Sequence, residues 1–223
     1  MYKLFLIMRT NQQIIRTCSK YSCISAERLT TNIESVEYVN RQLLPGDIVE
    51  IGVWKGGSML AMMLAHERST SPLDRTFHLY DTFEGMTQSA EVDKDYNGVS
   101  AGAVMKLHKH NFMSPLDEVN GNIRYHTKIV PQYHVGDILK NTFVPKQIAV
   151  LRLDTDWYES TKHELATFYD SVVPGGVVII DDYGHWKGCR KAVDEFLEAH
   201  PEITLFSTDY TGRWFYKPKE DVV

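Results

Sequence analysis

Cysteine is scarce. Three of the 223 residues, Cys18, Cys23 and Cys189, make an odd count with no second closely spaced pair, which excludes a disulfide framework and argues against a zinc knuckle. Free thiols in a reducing, cytoplasmic setting are the expectation. Long hydrophobic runs are also missing: nothing approaches the ~18 to 20 apolar residues of a membrane span. The apolar start from Leu4 to Met8 stops at Arg9, short of the ~7 to 15 residues of a signal-peptide core. Basic charge is not in excess, since 24 Lys and Arg against 29 Asp and Glu leave a formal charge of −5. No global field therefore gathers nucleic acid or a membrane surface. The nine histidines, His108, His110 and His126 among them, show no H-E-x-x-H or paired helical spacing, so a histidine metal site is not expected. With 43% hydrophobic and 24% charged residues and no internal repeat, the chain has the composition of an ordinary globular protein, of a length for one domain or one with an appendage.

What is present is an alternation of two hydrophobic periods. Leu29, Ile33, Val36, Val39 and Leu43 recur at three or four behind a plausible Ser25 N-cap, which predicts an amphipathic helix ended by Pro45-Gly46. Asp47 to Gly52 reads as a strand running into a glycine turn, and Ser58 to His66 as the next helix. Further strands are expected at Thr76–Asp81, His126–Val130, Gln147–Asp154 and Val177–Asp181, with helical spacing between most of them. Ile203–Ser207 and Arg213–Lys217 read as a closing hairpin. The expected class is α/β: a Rossmann-like, doubly wound, mostly parallel sheet with helices on both faces and a C-terminal antiparallel hairpin. Residues 1–44 are expected to form an N-terminal helical segment, a cap or dimerisation element, and residues 45–223 the main domain. The polar stretch Glu84–Gly102 is a candidate lid. Within it Asp93-Lys94-Asp95-Tyr96-Asn97-Gly98 opens like an EF-hand loop, but Val104 stands where a bidentate Glu is required, so it reads as part of a solvated lid.

In such a sheet ligands bind beyond the carboxyl ends of the strands. The first strand ends Glu50-Ile51-Gly52-Val53-Trp54-Lys55-Gly56-Gly57-Ser58, where glycines permit a tight turn and a helix start favours an anionic group. Trp54 stands where a dinucleotide fingerprint needs Gly, so the turn suits a nucleoside without a pyrophosphate, unless its glycines serve packing alone. Asp81, ending the second strand, is placed to accept ribose hydroxyls, or simply to cap the next segment of chain. Asp154 ends one strand and Asp181-Asp182 the next, one strand-helix-strand unit later. Three such carboxylates repel one another unless a hard cation neutralises them, and an all-oxygen set suits Mg²⁺ better than zinc; the alternative is that some are surface caps.

These segments, together with Tyr80-Asp81-Thr82-Phe83-Glu84-Gly85-Met86, Leu151 to Thr161 and Pro174-Gly175-Gly176 through Asp182-Tyr183-Gly184 to Val193, resemble class I S-adenosylmethionine-dependent methyltransferases. More narrowly, the chain resembles the macrocin O-methyltransferase family of sugar-modifying enzymes, from about Ser25 to about Leu197. The resemblance implies S-adenosylmethionine held by Glu50, Gly52, Trp54, Gly56, Ser58 and Asp81, and Mg²⁺ held by Asp154, Asp181 and Asp182. It implies a catalytic base at Asp154, with Asp156 as the alternative, a sugar or glycoside acceptor, and a homodimer. The family more often has Gly and Leu where this chain has Thr155-Asp156-Trp157, and Tyr158, Tyr183, His185 and Trp186 are candidate walls of the acceptor site. A catechol-type O-methyltransferase and a non-catalytic nucleoside-binding scaffold are the competing readings.

Overall fold

The computed structural model describes residues 9–69, 71–107 and 112–219. The apolar start from Leu4 to Met8 and the histidines His108 and His110 lie outside them. Among the described residues, seven strands, β1 (Asp47–Ile51), β2 (Phe77–Asp81), β3 (Gln132–Val135), β4 (Ile148–Leu153), β5 (Val172–Ile180), β6 (Phe206–Ser207) and β7 (Arg213–Tyr216), form one sheet. Its order is β3-β2-β1-β4-β5-β7-β6. The first five are parallel and the hairpin of β6 and β7 joins β5 antiparallel, as the alternation of hydrophobic periods implies.

Among the described residues, seven α-helices cover the two faces: α1 (Asn11–Cys18), α2 (Ala26–Arg41), α3 (Gly57–Arg68), α4 (Ala101–Met105), α5 (Leu116–His126), α6 (Tyr158–Phe168) and α7 (Lys187–Ala199). None among the described residues is long and apolar enough to cross a membrane. Helix α2 begins at its Ser25 cap, whose hydroxyl accepts from the Arg28 amide, and its Leu29, Ile33, Val36 and Val39 are fully buried. They share one core with Ile14 and Cys18 of α1, the whole inner surface of α3, and Ile48 and Val150 of the sheet. Val49, Ile51, Leu151 and Leu153 point the other way, into a second core with α6 and α7. Truncating any of the buried leucines or isoleucines to Ala removes packing worth about 2–5 kcal/mol. Cys18, Cys23 and Cys189 are free thiols, and burial pushes the Cys18 thiol up to about 12.

Three expectations are corrected. The third strand is not at His126–Val130: His126 closes α5, and the strand comes at Gln132–Val135 on the sheet edge. Strand β5 starts at Val172, before Pro174-Gly175-Gly176, which forms an irregularity within it, because the register to β4 jumps from Ile148↔Val172 to Val150↔Val177. The stretch expected as a solvated lid is tied down by buried aspartates. Asp93 is 1% exposed, and its carboxylate accepts from the amides of Tyr158, at 2.9 Å, and Ala90, at 2.7 Å. It thereby caps α6, which lacks a side-chain cap of its own.

Candidate active site

The order of the parallel strands reverses between β1 and β4, and the ladder continues past the formal strand ends. The Gly52 amide donates to Tyr80 O, Asp154 to Ile51 O and Asp181 to Leu153 O, at 2.9, 2.8 and 3.0 Å. Strand pairing thus sets the glycine turn, Asp154 and Asp181 side by side at one sheet edge. Gly52 has φ +85°, and a Cβ there would meet Asp154 O at 2.0 Å, so only glycine permits this approach.

A cavity of about 380 Å³ opens over this edge, lined by Gly52, Trp54, Ser58 and Asp81 among the residues expected at a cofactor. Glu50 and Gly56, expected with them, stand behind the wall. Glu50 is fully buried, with Oε1 2.8 Å from Arg152 Nη1 and Oε2 without a hydrogen-bond partner. Burial raises its pKa to about 7, against the pull of Arg152. Gly56, with φ +85°, is the N-cap of α3, and a Cβ there would meet Val119 at 3.1 Å and Ile123 at 3.4 Å, both on α5. Asp81 is the clamp of the turn: Oδ2 accepts from Val53 N at 2.6 Å and Trp54 N at 3.1 Å, and Oδ1 from Phe83 N at 2.8 Å. Thr82 Oγ1 also lies 3.4 Å from Oδ1, so each carboxylate oxygen has two partners.

Below the cavity lies a charge network that local patterning does not reveal. Arg152, fully buried on β4, donates to Glu50, to Asp154 Oδ2 at 2.7 Å and to Asp181 Oδ1 at 2.5 Å. Arg28 of α2 pairs with Asp181 Oδ2 and with Asp209 of the hairpin. Both Asp181 oxygens are thus held by guanidinium groups. Among the described residues, the set whose ligand atoms lie within 4.8 Å of one another is Asp154, Asp156 and Asp182. Asp182 Oδ2 is buried without a hydrogen-bond partner. Burial, then repulsion from Asp156 and Asp181, holds the Asp182 carboxyl well above the usual range; burial also raises Asp156 to about 7, and Asp154 well up despite Arg152. Two guanidinium groups do not balance the carboxylates gathered around them. The three raised carboxyls, Asp154, Asp156 and Asp182, lie at the cavity floor, where Asp154 keeps 26% of its side-chain exposure.

Asp156 has φ +71°, a left-handed conformation that costs a non-glycine residue energy. Its loop is held by Thr155, whose hydroxyl lies 2.8 Å from Ser160 Oγ and 2.7 Å from Glu164 Oε1. Glu164 is fully buried and accepts from the Thr155 hydroxyl, its Oε2 has no hydrogen-bond partner, and burial raises its pKa to about 8.

Of the four aromatic side chains expected near the acceptor, His185 and Trp186 line the cavity. Tyr158 faces Glu195 and Lys162, and Tyr183 donates to Asp194 at 2.6 Å. Sequence reasoning missed Arg28, Tyr210, Gly136 and Asp137, all on the cavity wall. The last two come directly after β3, and a strand placed at His126–Val130 hides them.

Residues 12–217 match the family described as Macrocin-O-methyltransferase (TylF). A demethyldecarbamoylnovobiocin O-methyltransferase of Streptomyces niveus is 35% identical over 182 residues, 79% of this chain and 67% of its own. An 8-demethyl-8-(2,3-dimethoxy-alpha-L-rhamnosyl)-tetracenomycin-C 4'-O-methyltransferase of Streptomyces olivaceus is 36% identical over the same shares. The solved structure of the O-methyltransferase NovP superimposes with a TM-score of 0.74 at 31% identity, covering 89% of this chain and 83% of that one. With this agreement of sequence and fold, the chain belongs to the macrocin O-methyltransferase family and is an S-adenosylmethionine-dependent O-methyltransferase.

Proposed function

We propose that the protein transfers the methyl group of S-adenosylmethionine to a hydroxyl of a sugar or glycosylated small molecule, with Mg²⁺ as its resident cation. The observation that carries this reading is one cavity bordered by both the glycine turn and the Asp154, Asp156 and Asp182 cluster. The rhamnosyl group in the name of the Streptomyces olivaceus relative favours a sugar over a catechol acceptor. Family membership speaks against a non-catalytic scaffold.

The donor set fits a hard divalent cation: three carboxyl groups with mutually close oxygens and a buried Asp182 Oδ2 without a hydrogen-bond partner. Asp154, Asp156 and Asp182 would hold it, with Asp181 supporting them through Arg152 and Arg28. Gly52, Trp54 and Ser58 would wall the cofactor, and Asp81 would accept from its ribose. When bound, the cofactor supplies an electrophilic methyl group and the cation lowers the pKa of a coordinated hydroxyl.

The chain's own residues supply the rest. Arg152 fixes Asp154 through Oδ2 and leaves Oδ1 to take the acceptor's proton as general base. Asp156, two residues on and in the same cluster, is the alternative base. Trp186 and His185 close one side of the cavity and orient the acceptor, a contribution of several kcal/mol in well-aligned displacements. The test is Asp154→Asn, assayed with labelled S-adenosylmethionine on a panel of rhamnosides. Turnover is expected to fall by roughly 10²- to 10⁴-fold, with affinity for S-adenosylhomocysteine within a few fold. Undiminished turnover would contradict the assignment.

A further inference from the structure

Three aromatic side chains meet on the outer rim of the cavity, brought there by three separate segments. Tyr96 comes from the loop before α4, His185 from the turn after β5 and Tyr210 from the β6–β7 hairpin. Their ring centroids are 5.5 Å (Tyr96–His185), 6.1 Å (His185–Tyr210) and 6.4 Å (Tyr96–Tyr210) apart, all edge-on. Tyr210 Oη lies 3.1 Å from His185 Nδ1. His185 and Tyr210 line the cavity and Tyr96 packs against both from outside. Yet Tyr96 is 58% and Tyr210 64% exposed, so the cluster does little for the core.

The rings are held rather than loose. Asp95 bridges to the Trp186 backbone and accepts from Val99 N at 2.8 Å, and Lys187 N donates to Lys94 O at 2.8 Å. Gly184 N donates to Thr211 O, and Thr211 Oγ1 to Asp181 O, both at 3.0 Å, which fastens the hairpin to the carboxylate edge. A Cβ at Gly184 would meet Tyr210 O at 2.0 Å, so the two segments are in backbone contact. An exposed aromatic cluster beside a cavity is the arrangement that marks a binding surface.

Size says what lies there. A cavity of about 380 Å³ is at the small end of the ~300–1,000 Å³ range for single ligands. Here it must take a nucleoside cofactor and a sugar, so the rest of a glycoside has to leave over the rim. We infer that Tyr96, His185 and Tyr210 form an outer acceptor subsite that packs against a flat aromatic aglycone of the glycoside being methylated. This rests on the transferase reading above.

The experiment is calorimetric titration of protein saturated with S-adenosylhomocysteine, using 2-naphthyl α-L-rhamnoside and methyl α-L-rhamnoside as probes. The wild type is expected to bind the naphthyl probe about tenfold more tightly, the scale of one good aromatic contact. In Tyr96→Ala/Tyr210→Ala the ratio is expected to fall towards one, and in Tyr96→Phe/Tyr210→Phe to recover. Equal affinities in the wild type, no binding of the naphthyl probe, or a preference that survives the double alanine variant would each overturn the inference. In those cases intact S-adenosylhomocysteine binding would leave the transferase reading standing. Failure to bind S-adenosylhomocysteine would overturn both.

Discussion

Gly52 and Asp156 show how single backbone conformations set the site. A methyl group at position 52 would meet the Asp154 carbonyl, and φ +85° disfavours any side chain there. Gly52→Ala is therefore expected to cost more than about 1 kcal/mol of stability and to abolish binding of S-adenosylhomocysteine. Thermal denaturation and calorimetry check the two effects. Asp156 is the opposite case, a side chain kept where glycine would be easier. Asp156→Gly relieves a left-handed residue and removes one of three crowded carboxylates, so stability is expected to rise by about 1 kcal/mol while methyl transfer falls. A less stable variant with normal turnover would show that Asp156 serves the fold. Gly52 is legible in the sequence because a glycine at a strand end has few explanations. The strain at Asp156 is not, since Asp154 and Asp156 look alike in a string and only the turn after β4 separates their roles.

At the scale of elements, α6 carries a buried acid with a pH signature. Burial raises Glu164 to about 8 and Glu50 to about 7. Each keeps a proton in the folded protein that it releases, when unfolded, above its ordinary value near 4.5. Their stabilising contribution is complete below that value and is lost as pH rises through the folded one. Stability is thus expected to decline from about pH 5 to pH 8 by up to about 1.4 kcal/mol per unit per group. Glu164→Gln, which cannot ionise, should flatten that slope in urea denaturation series at several pH values; an unchanged slope would show that Glu164 is already ionised. The long, strongly patterned elements are legible: β1, β2, β4, α2 and α3 lie close to where periodicity puts them. Strand β3 is not, because an edge strand of four half-exposed residues carries little apolar signal, whereas Ile129-Val130 before it carries more. The anchoring role of Asp93 is hidden because its partner amide, at Tyr158, is 65 residues away.

Across the whole molecule, one network joins the N-terminal helices, the sheet and the hairpin. Arg28 reaches 153 residues along the chain to Asp181, and also holds Asp209. Strand-end carboxylates are readable from position alone, but their division of labour is not. Which of them are neutralised depends on Arg28 and Arg152, and no local spacing announces that an arginine inside an apolar strand will face three acids. The central claim is that this assembled edge holds a nucleoside cofactor. It is tested most directly by calorimetric titration of the wild-type protein with S-adenosylhomocysteine, with and without Mg²⁺. One saturable site per chain, binding at micromolar concentration or tighter, is the expected result. No saturable heat under either condition would contradict the account.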